Sequence, residues 1–414
     1  MSRRPARALL LALALSVPAA SAALAADAPP SRPSTAPAAD HLAVLRALKP
    51  NHAALLGKAS VVGDFNDTAR QWELDKTGPQ GRDYSIKMVW APDRRRALFC
   101  GANHGVPHRL NDVWEFDLAT LTWHLLYAPD HNRDYTGLGK DPSDVLFKDG
   151  VLITKRGGPA VIGHTWWGLT YDPQAKALLF MNTWVTDQKK AVFFLDGDVD
   201  QLYKGPPLWA FYPAEGRWEF QRTDKPYPTA PFGGMLEHLP ELGGTVWHVN
   251  NWQMQQTWLF DATKKAWRPM NPNGGGKAFE QAAPQPEQVG YHDPKRKLLV
   301  VQRQADTFHY NVTKNEWKKV IAREKGAADV PHGHDATSVF HHDPASGHGL
   351  LLEYKTNALW AYDPDAADPT AAWKKLTPEG DPMPDGSKRL AYVDQALNAF
   401  VVIKGTTVWA YRYR

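Results

Sequence analysis

The clearest pattern along the chain is the regular alternation of aromatic and polar residues at positions 111–125 (NDVWEFDLATLTWHL). Alternation of this kind predicts β-strands, because successive side chains of a strand point to opposite faces of the sheet. It places Trp114 and Phe116 on one face, where both can be buried. A polar turn separates this strand from a second one, which carries Trp123 nine residues after Trp114. The segment therefore predicts a β-hairpin with an aromatic buried face.

The same hairpin pattern recurs five more times along the chain. Copies with the spacing of nine begin at Trp209, Trp258 and Phe308, and a copy with a longer turn begins at Trp360. The sixth, VWAY at Trp409, lacks a second strand before the last residue of the sequence. Later copies follow one another at steps of roughly 50 residues, a period typical of radial or stacked repeats.

A missing half of the last repeat is expected near the N-terminus. Trp72, in RQWELD, belongs to a predicted strand that has no first half of its own. We therefore expect an N-terminal strand around Trp72 to complete the sheet that contains Trp409 and to close the repeats into a ring.

Each repeat resembles a kelch motif, and most of the chain is similar to the central domain of the galactose oxidase family. Apolar hairpins with Pro- or Asp-containing turns precede the aromatic copies and give six units. The resemblance implies an all-β, six-bladed kelch-like β-propeller. A seventh blade is the alternative, because nearly two repeat lengths separate Trp114 from Trp209. We interpret that interval as two insertions, residues 127–163 with a hairpin at VLFKDGVLITK, and residues 185–207.

The N-terminal residues predict export. Arg3 and Arg4 precede the apolar run LLLALALSV, and small residues follow it, as in a cleaved signal peptide. We expect a signal peptide over residues 1–25, a Pro/Ala-rich linker over 26–39, a short helix within 40–58 and the propeller over 59–414. No later stretch has the roughly 18 apolar residues of a membrane span. The protein is therefore expected in the periplasm or outside the cell.

Composition narrows the possible partners. The formal net charge of +4 is too small to indicate a nucleic acid partner. Most of the 17 tryptophans occupy repeat positions, so packing explains them before any ligand does. The single cysteine, Cys100, lies on a predicted buried strand and has no partner for an intramolecular disulfide. We expect a monomer stabilised by blade packing and ring closure.

The candidate ligand site follows from propeller topology. Loops that enter each blade, and loops between its second and third strands, surround one mouth of the central channel. Tryptophans there can stack on sugar rings, amides can bind hydroxyls, and cations can hold carboxylate or sulfate groups. The candidate binding residues are Asn103, His108, Arg109, Trp166, Trp184, Asn250, Asn251, Trp252, His334, Lys355 and Lys404. Asn182, His332, Glu353 and Tyr354 belong to the same face.

These residues predict a propeller that binds a carbohydrate, expected to be an anionic polysaccharide, on its loop face. The first alternative is a polysaccharide lyase, since β-elimination needs one group to neutralise the uronate carboxylate and one base to take the α-proton. Its candidate catalytic residues are His104, His164, Tyr84 and Arg303. The second alternative is a protein-interaction scaffold. A further interpretation makes the candidate residues ordinary polar loop residues, with Trp184 and Trp252 packing over the mouth.

Metal chemistry has weaker support in the sequence. No cofactor is predicted, although the spacing of His104 and His108 would allow both to bind a divalent metal with a third ligand from another blade. A copper radical oxidase would need a Cys–Tyr crosslink beside the metal, and Cys100 is predicted in a blade wall instead. His292, His341 and His342 fall on the opposite face, where we expect solvated turn residues.

Overall fold

In the computed structural model of the protein, the described residues are 38–103, 109–183, 187–251, 254–270 and 283–414. They form six main sheets of four or five strands, arranged as a six-bladed β-propeller with few helices. The predicted fold class is therefore confirmed. No helix in this part of the chain combines the length and the apolar character that crossing a membrane requires.

The first elements precede the first blade. They are α1 (Ala38–Ala47), β1 (His52–Lys58), β2 (Ser60–Val62), α2 (Asp67–Gln71) and α3 (Leu74–Thr77). Blade 1 contains β3 (Val89–Ala91), β4 (Arg96–Cys100), β5 (Val113–Asp117) and β6 (Thr122–Tyr127). The two insertions contribute α4 (Tyr135–Lys140), β7 (Val145–Lys148), β8 (Val151–Thr154), α5 (Gln188–Phe193) and a 3-10 turn at Val199–Gln201.

The later blades follow in chain order. Blade 2 contains β9 (Leu169–Asp172), β10 (Ala177–Met181), β11 (Leu208–Tyr212) and β12 (Arg217–Phe220). Blade 3 contains β13 (Met235–Leu239), a 3-10 turn at Pro240–Leu242, β14 (Gly244–Asn251), β15 (Met254–Asp261) and β16 (Ala266–Met270). Blade 4 contains β17 (Val289–Asp293), β18 (Leu298–Arg303), β19 (Asp306–Asn311) and β20 (Glu316–Ile321).

The last two blades end the chain. Blade 5 contains β21 (Ser338–Asp343), β22 (His348–Glu353), β23 (Ala358–Tyr362), a 3-10 turn at Pro369–Ala371 and β24 (Trp373–Leu376). Blade 6 contains β25 (Glu379–Gly380), β26 (Arg389–Asp394), β27 (Ala399–Lys404) and β28 (Thr407–Arg412). The innermost strands of the six blades contact one another in a ring, in the order β3, β9, β13, β17, β21 and β26, with β26 beside β3. They line the central channel.

An N-terminal strand closes the ring, as expected, but it is a different strand from the one the sequence suggests. Strand β1 pairs antiparallel with β28, with Leu55 opposite Trp409. Trp72 instead follows α2 as its C-terminal cap, so the predicted strand around Trp72 is wrong. The short helix expected within residues 40–58 corresponds to α1, which spans Ala38–Ala47, and β1 occupies the end of that range. The sequence of β1, HAALLGK, is poor in strand-forming residues, and the open edge of β28 determines its pairing.

The recurrent aromatic residues are packing residues. Trp123 lies on β6 against two aromatic rings of β5, with centroids 6.3 Å from Trp114 and 4.9 Å from Phe116. Blade 2 repeats this arrangement, with Trp209 and Trp218 at 6.3 Å and nearly perpendicular. Such edge-to-face pairs add roughly 0.5–1.5 kcal/mol each beyond the burial of their area.

The two insertions pack on each other. The predicted hairpin is present as β7 and β8, with Phe147 opposite Leu152. It shares an apolar cluster with α4 and α5, to which Tyr135, Leu138 and Val192 belong. Cys100 is fully buried on β4 as a free thiol.

Candidate functional site

Three loops that enter blades 1 to 3 bring a row of aromatic rings to the predicted ligand mouth. The Tyr84 ring stacks on His164, with centroids 5.4 Å apart, and His164 lies 4.8 Å from Trp166 in an edge-on arrangement. Phe232, whose surface is half exposed, continues the row 5.8 Å from Trp166. The backbone N–H of Trp166 donates to the backbone carbonyl oxygen of Tyr84 at 2.8 Å. This bond fixes the loops of blades 1 and 2 to each other.

The backbone at this mouth adopts an uncommon conformation. Tyr84, Trp166 and Glu287 have φ angles of 53°, 42° and 67°. A residue with a side chain adopts this left-handed region at a cost of about 1–3 kcal/mol, and such residues cluster at functional sites. Here the conformation turns the Tyr84 and Trp166 side chains into one contiguous group.

A polar group from blades 4 and 5 adjoins the aromatic row. The His334 ring lies 5.9 Å from Tyr84 and 6.2 Å from His332. The Ala336 N–H donates to His334 Nδ1 at 3.1 Å, so the neutral imidazole carries its proton on Nε2. That atom lies 3.4 Å from Glu287 Oε2. Burial, more than any neighbouring charge, lowers the pKa of both His332 and His334.

Arg303 supplies a cation beside this group. It ends β18, and its Nε donates to Pro286 O at 3.2 Å. Within the described residues its terminal nitrogens have no hydrogen-bond partner. Burial lowers its pKa and the nearby Glu287 carboxylate opposes that effect. An arginine nevertheless stays charged near neutral pH, because its pKa lies far above it.

Burial raises the pKa of two acidic groups at the mouth. Asp335 is fully buried, and its pKa is raised well above the usual range by burial and then by Glu287. The Tyr84 pKa is also raised, first by burial and then by Glu287 and Asp335. At neutral pH the mouth therefore offers the Tyr84 phenol as a donor, imidazoles without charge and the Arg303 guanidinium, whereas Asp335 is fully buried.

Several predicted binding residues are engaged elsewhere. Asn182 is buried, and its amide accepts from Gly163 N at 3.0 Å and donates to Val161 O at 2.8 Å. Arg109 is buried and donates to Asn103 O at 2.6 Å, while the Asn103 side chain accepts from Asp83 N at 3.1 Å. These three residues hold the loops, so we leave them out of the binding group.

The remaining predicted residues divide into three sets. Tyr354 is buried and donates to Arg389 O at 2.9 Å, which makes it structural. Lys404 donates to Asp385 O on blade 6, and Lys355 is exposed beside His332 and His334. His104, His108, Trp184 and Trp252 lie outside the described residues, as do the side chains of Asn250 and Asn251.

Metal binding gains no further support in the described part of the chain. No group of three or more His, Cys, Asp or Glu side chains is arranged there to hold a metal ion. The predicted pair His104 and His108 lies outside that part.

The opposite mouth differs from the sequence expectation. His292, His341 and His342 are partly or largely buried and line a cavity at the channel end, so their assignment as solvated turn residues is wrong. Their strands run down the channel wall, and the imidazoles point into the ring of blades. His341 Nε2 lies 3.0 Å from Ala391 O of the next blade.

A buried ion pair lies across the channel beside this cavity. Lys87 Nζ of blade 1 contacts Glu237 Oε1 of blade 3 at 2.5 Å and donates to Leu236 O at 3.1 Å. The Trp167 ring lies 4.8 Å from the ammonium, and its N–H is 3.2 Å from the same carboxylate oxygen. Sequence reasoning missed this pair, and the only signal for it was a charged residue within each of two apolar inner strands.

Comparison with known proteins adds similarities of fold. No protein-family model matches the sequence, and no curated protein sequence is significantly similar to it. An auxiliary nutrient binding protein from Bacteroides ovatus is similar in structure over 87% of this chain and 76% of its own, with 9% identity and a TM-score of 0.48. A gluconolactonase from Xanthomonas campestris is similar over 82% of this chain and 91% of its own, with 10% identity and a TM-score of 0.44. The protein is a six-bladed β-propeller, and no family membership follows from these similarities.

Proposed function

We propose that this propeller is an exported, kelch-like protein that binds an anionic polysaccharide at the loop-face mouth. The observation that carries the proposal is the accessible ring surface of Tyr84 and Phe232, at the two ends of a row whose middle members, His164 and Trp166, are buried, together with the neighbouring Arg303 guanidinium. Aromatic faces stack on the C–H faces of sugar rings, and a guanidinium holds a carboxylate or sulfate by paired hydrogen bonds. A mouth with aromatic rings and a guanidinium favours a glycan that has both apolar sugar faces and acidic groups.

Two substitutions test the two halves of this mouth. Arg303→Ala should weaken binding to polygalacturonate about 10- to 100-fold, because a hydrogen bond to a charged group contributes roughly 1.5–3 kcal/mol. Arg268→Ala is the matched control, since it removes the same charge from an exposed position on the outer strand β16. Phe232→Ala should weaken binding to the same glycan, and Phe193→Ala, at an exposed position on α5, should not.

The measurement is affinity electrophoresis in gels containing polygalacturonate, dextran sulfate or neutral dextran. Retardation by the anionic polymers that is lost in Arg303→Ala and kept in Arg268→Ala would support the proposal. Equal retardation of all four variants would contradict it. Absence of retardation in every gel, with recovery of a protein partner by pull-down, would favour the scaffold function instead.

One observation favours a second function, that of a polysaccharide lyase. The stacked pair of Tyr84 and His164 adjoins the group that contains Arg303, so a phenol, an imidazole and a guanidinium share one mouth. In β-elimination, Arg303 would neutralise the uronate carboxylate while a base takes the neighbouring proton. His164 is fully buried and cannot reach a substrate, so this base would be His104, the other predicted catalytic histidine, which lies outside the described residues. The electron pair forms a carbon–carbon double bond, the adjacent glycosidic C–O bond breaks, and Tyr84 gives its proton to the leaving oxygen.

Lyase activity has its own readout, because the unsaturated uronate product absorbs in the ultraviolet. Tyr84→Phe keeps the aromatic packing and removes the proton, so it should slow turnover about 10²- to 10⁴-fold while leaving retention in the gels unchanged. Retention without any ultraviolet product in the wild-type protein would leave binding as the function and exclude the lyase for the polymers used.

A further inference from the structure

The hairpins between the first and second strands of the blades enclose a cavity of about 340 Å³ at the opposite channel mouth. Its rim carries a proline from each of five hairpin turns, and Gln395 takes that place in the sixth. Ligand sites span roughly 300–1,000 Å³, so this cavity is at the small end of the range. Its size suits a single ring, in contrast to the open loop-face mouth.

Among the described residues that line this cavity, the charged side chains form one pair. Glu237 is the only acidic side chain there and Lys87 the only permanently basic one, and the two contact each other. The four lining histidines have lowered pKa values, with burial as the main cause, and are neutral near pH 7. An anion would therefore lose its hydration here without meeting an unpaired cation.

The lining also has unmet hydrogen-bonding capacity. His238 Nε2, His342 Nε2 and Tyr291 Oη are buried and have no hydrogen-bond partner within the described structure. Leaving such a group without a partner costs about 1–3 kcal/mol, and most buried polar atoms in folded proteins avoid that cost. All three atoms belong to residues that line this cavity.

Apolar surfaces complete the cavity wall. Trp90 is half-buried there, stacked at 6.3 Å on Tyr392, and Tyr171 and the turn prolines lie beside it. Flat apolar faces next to neutral donors and acceptors match a sugar ring, which has apolar C–H faces and a periphery of hydroxyl groups.

We propose that this hairpin-face cavity is a second ligand site, which binds one uncharged monosaccharide ring. The site is distinct from the loop-face mouth, because none of the described residues that line it belongs to the aromatic row or to the group around Arg303. Hydroxyl groups of the sugar satisfy the free imidazole and phenol positions, while Trp90 covers one face of the ring.

Saturation-transfer NMR on the full-length protein tests this site, with D-galactose and D-glucose as neutral probes and D-galacturonate as the charged one. At least one neutral hexose should show saturation transfer, and D-galacturonate should bind at least about 10-fold more weakly, since one uncompensated charge costs more than 1.4 kcal/mol here. The comparison with D-galacturonate is made in Arg303→Ala, whose loop-face mouth lacks its cation and so cannot supply the signal. Signals for neither neutral hexose, or equal binding of D-galacturonate in that variant, would overturn the proposal.

Two variants locate the site. Trp90→Leu should reduce hexose binding about 10-fold or more. Gln395→Trp places a large side chain at an exposed turn of the rim, where folding tolerates it, and should block entry without removing any lining group. Arg303→Ala should leave hexose binding unchanged even where it abolishes retention of polygalacturonate. Loss of hexose binding in Arg303→Ala, or its persistence in Gln395→Trp, would move the hexose to the loop face and refute the second site.

Discussion

Replacing Lys87 by methionine should destabilise the propeller strongly, and replacing its partner as well should restore most of the loss. The Lys87 side chain is 3% exposed and the Glu237 side chain 13% exposed. Burial lowers the pKa of Lys87 and raises that of Glu237, and each is stabilised in its charged form chiefly by the other. Methionine keeps the length and apolar stem of the lysine but removes its charge.

The expected magnitudes follow from that burial. Lys87→Met leaves Glu237 as an uncompensated carboxylate, for which buried pairs show losses of about 3–5 kcal/mol in the free energy of unfolding. In the double variant, Lys87→Met with Glu237→Leu, both charges are gone and only apolar contacts with Trp167 remain. Buried pairs replaced in this way are often neutral or more stable, so the double variant should lie within about 1 kcal/mol of the wild type.

Urea unfolding, followed by far-ultraviolet circular dichroism at pH 7, measures these differences. The matched control is Lys264→Met, which breaks an exposed pair with Asp261 and should cost at most about 1 kcal/mol. A Lys87→Met loss no larger than that of the control would refute the reasoning. So would a double variant whose loss equals the sum of the two single losses, because the two charges would then not depend on each other.

Three further predictions concern closure, pH and loop support. Removing residues 1–58 deletes β1 and exposes the edge of β28, so the shortened chain should associate, as detected by light scattering. Removing only residues 1–37 should not cause association. A chain without residues 1–58 that stays unassociated and keeps its urea midpoint would refute this prediction. Burial lowers the pKa of His248 and His309 to about 4 and that of His341 to about 3, so stability should be complete above about pH 6.5 and fall toward pH 4. The slope should reach roughly 1.4 kcal/mol per pH unit for each histidine, and a urea midpoint unchanged between pH 7 and 5 would contradict it. Arg82 contacts both oxygens of Asp112, at 2.9 and 2.6 Å, in the buried base of the Tyr84 loop. Asp112→Asn should therefore lower the urea midpoint and weaken glycan retention together, and a change in only one of them would separate this pair from the mouth.

The repeated hairpins could be predicted from the sequence because their alternation of aromatic and polar residues is a local pattern. Alternation places Trp114 and Phe116 on one face whatever the rest of the chain does, and burial of that face fixes the blade. Strand β1 shows no such alternation. Five of its seven residues are alanine, glycine or polar, and it is a strand because β28 at the other end of the chain presents an unpaired edge. Pairing imposed from a distance leaves little trace in local sequence.

At the two channel mouths, too, the sequence predicts only part of what the structure shows about the functional residues. Topology alone places Tyr84, His164, Trp166 and His334 on one face, and the structure brings their rings together. The topology does not show that the side chains of Asn103, Arg109 and Asn182 form hydrogen bonds with backbone groups, because hydrogen-bond partners depend on loop conformation. For the opposite face the sequence gives hairpin turns, and turns are usually solvated.

The histidines of that face are buried because of the ring as a whole. In a six-bladed propeller the first strands converge, and their ends face one another across a narrow channel. A side chain that would be exposed on an isolated hairpin then meets five other hairpins, as His341 meets Ala391 of blade 6. The same convergence lets Lys87 of blade 1 reach Glu237 of blade 3, so a charge on one inner strand can be stable only with a partner on another. Ring closure therefore creates both the Lys87–Glu237 pair and the cavity that the pair lines. A change that opens the ring should abolish hexose binding at the hairpin face together with folding stability.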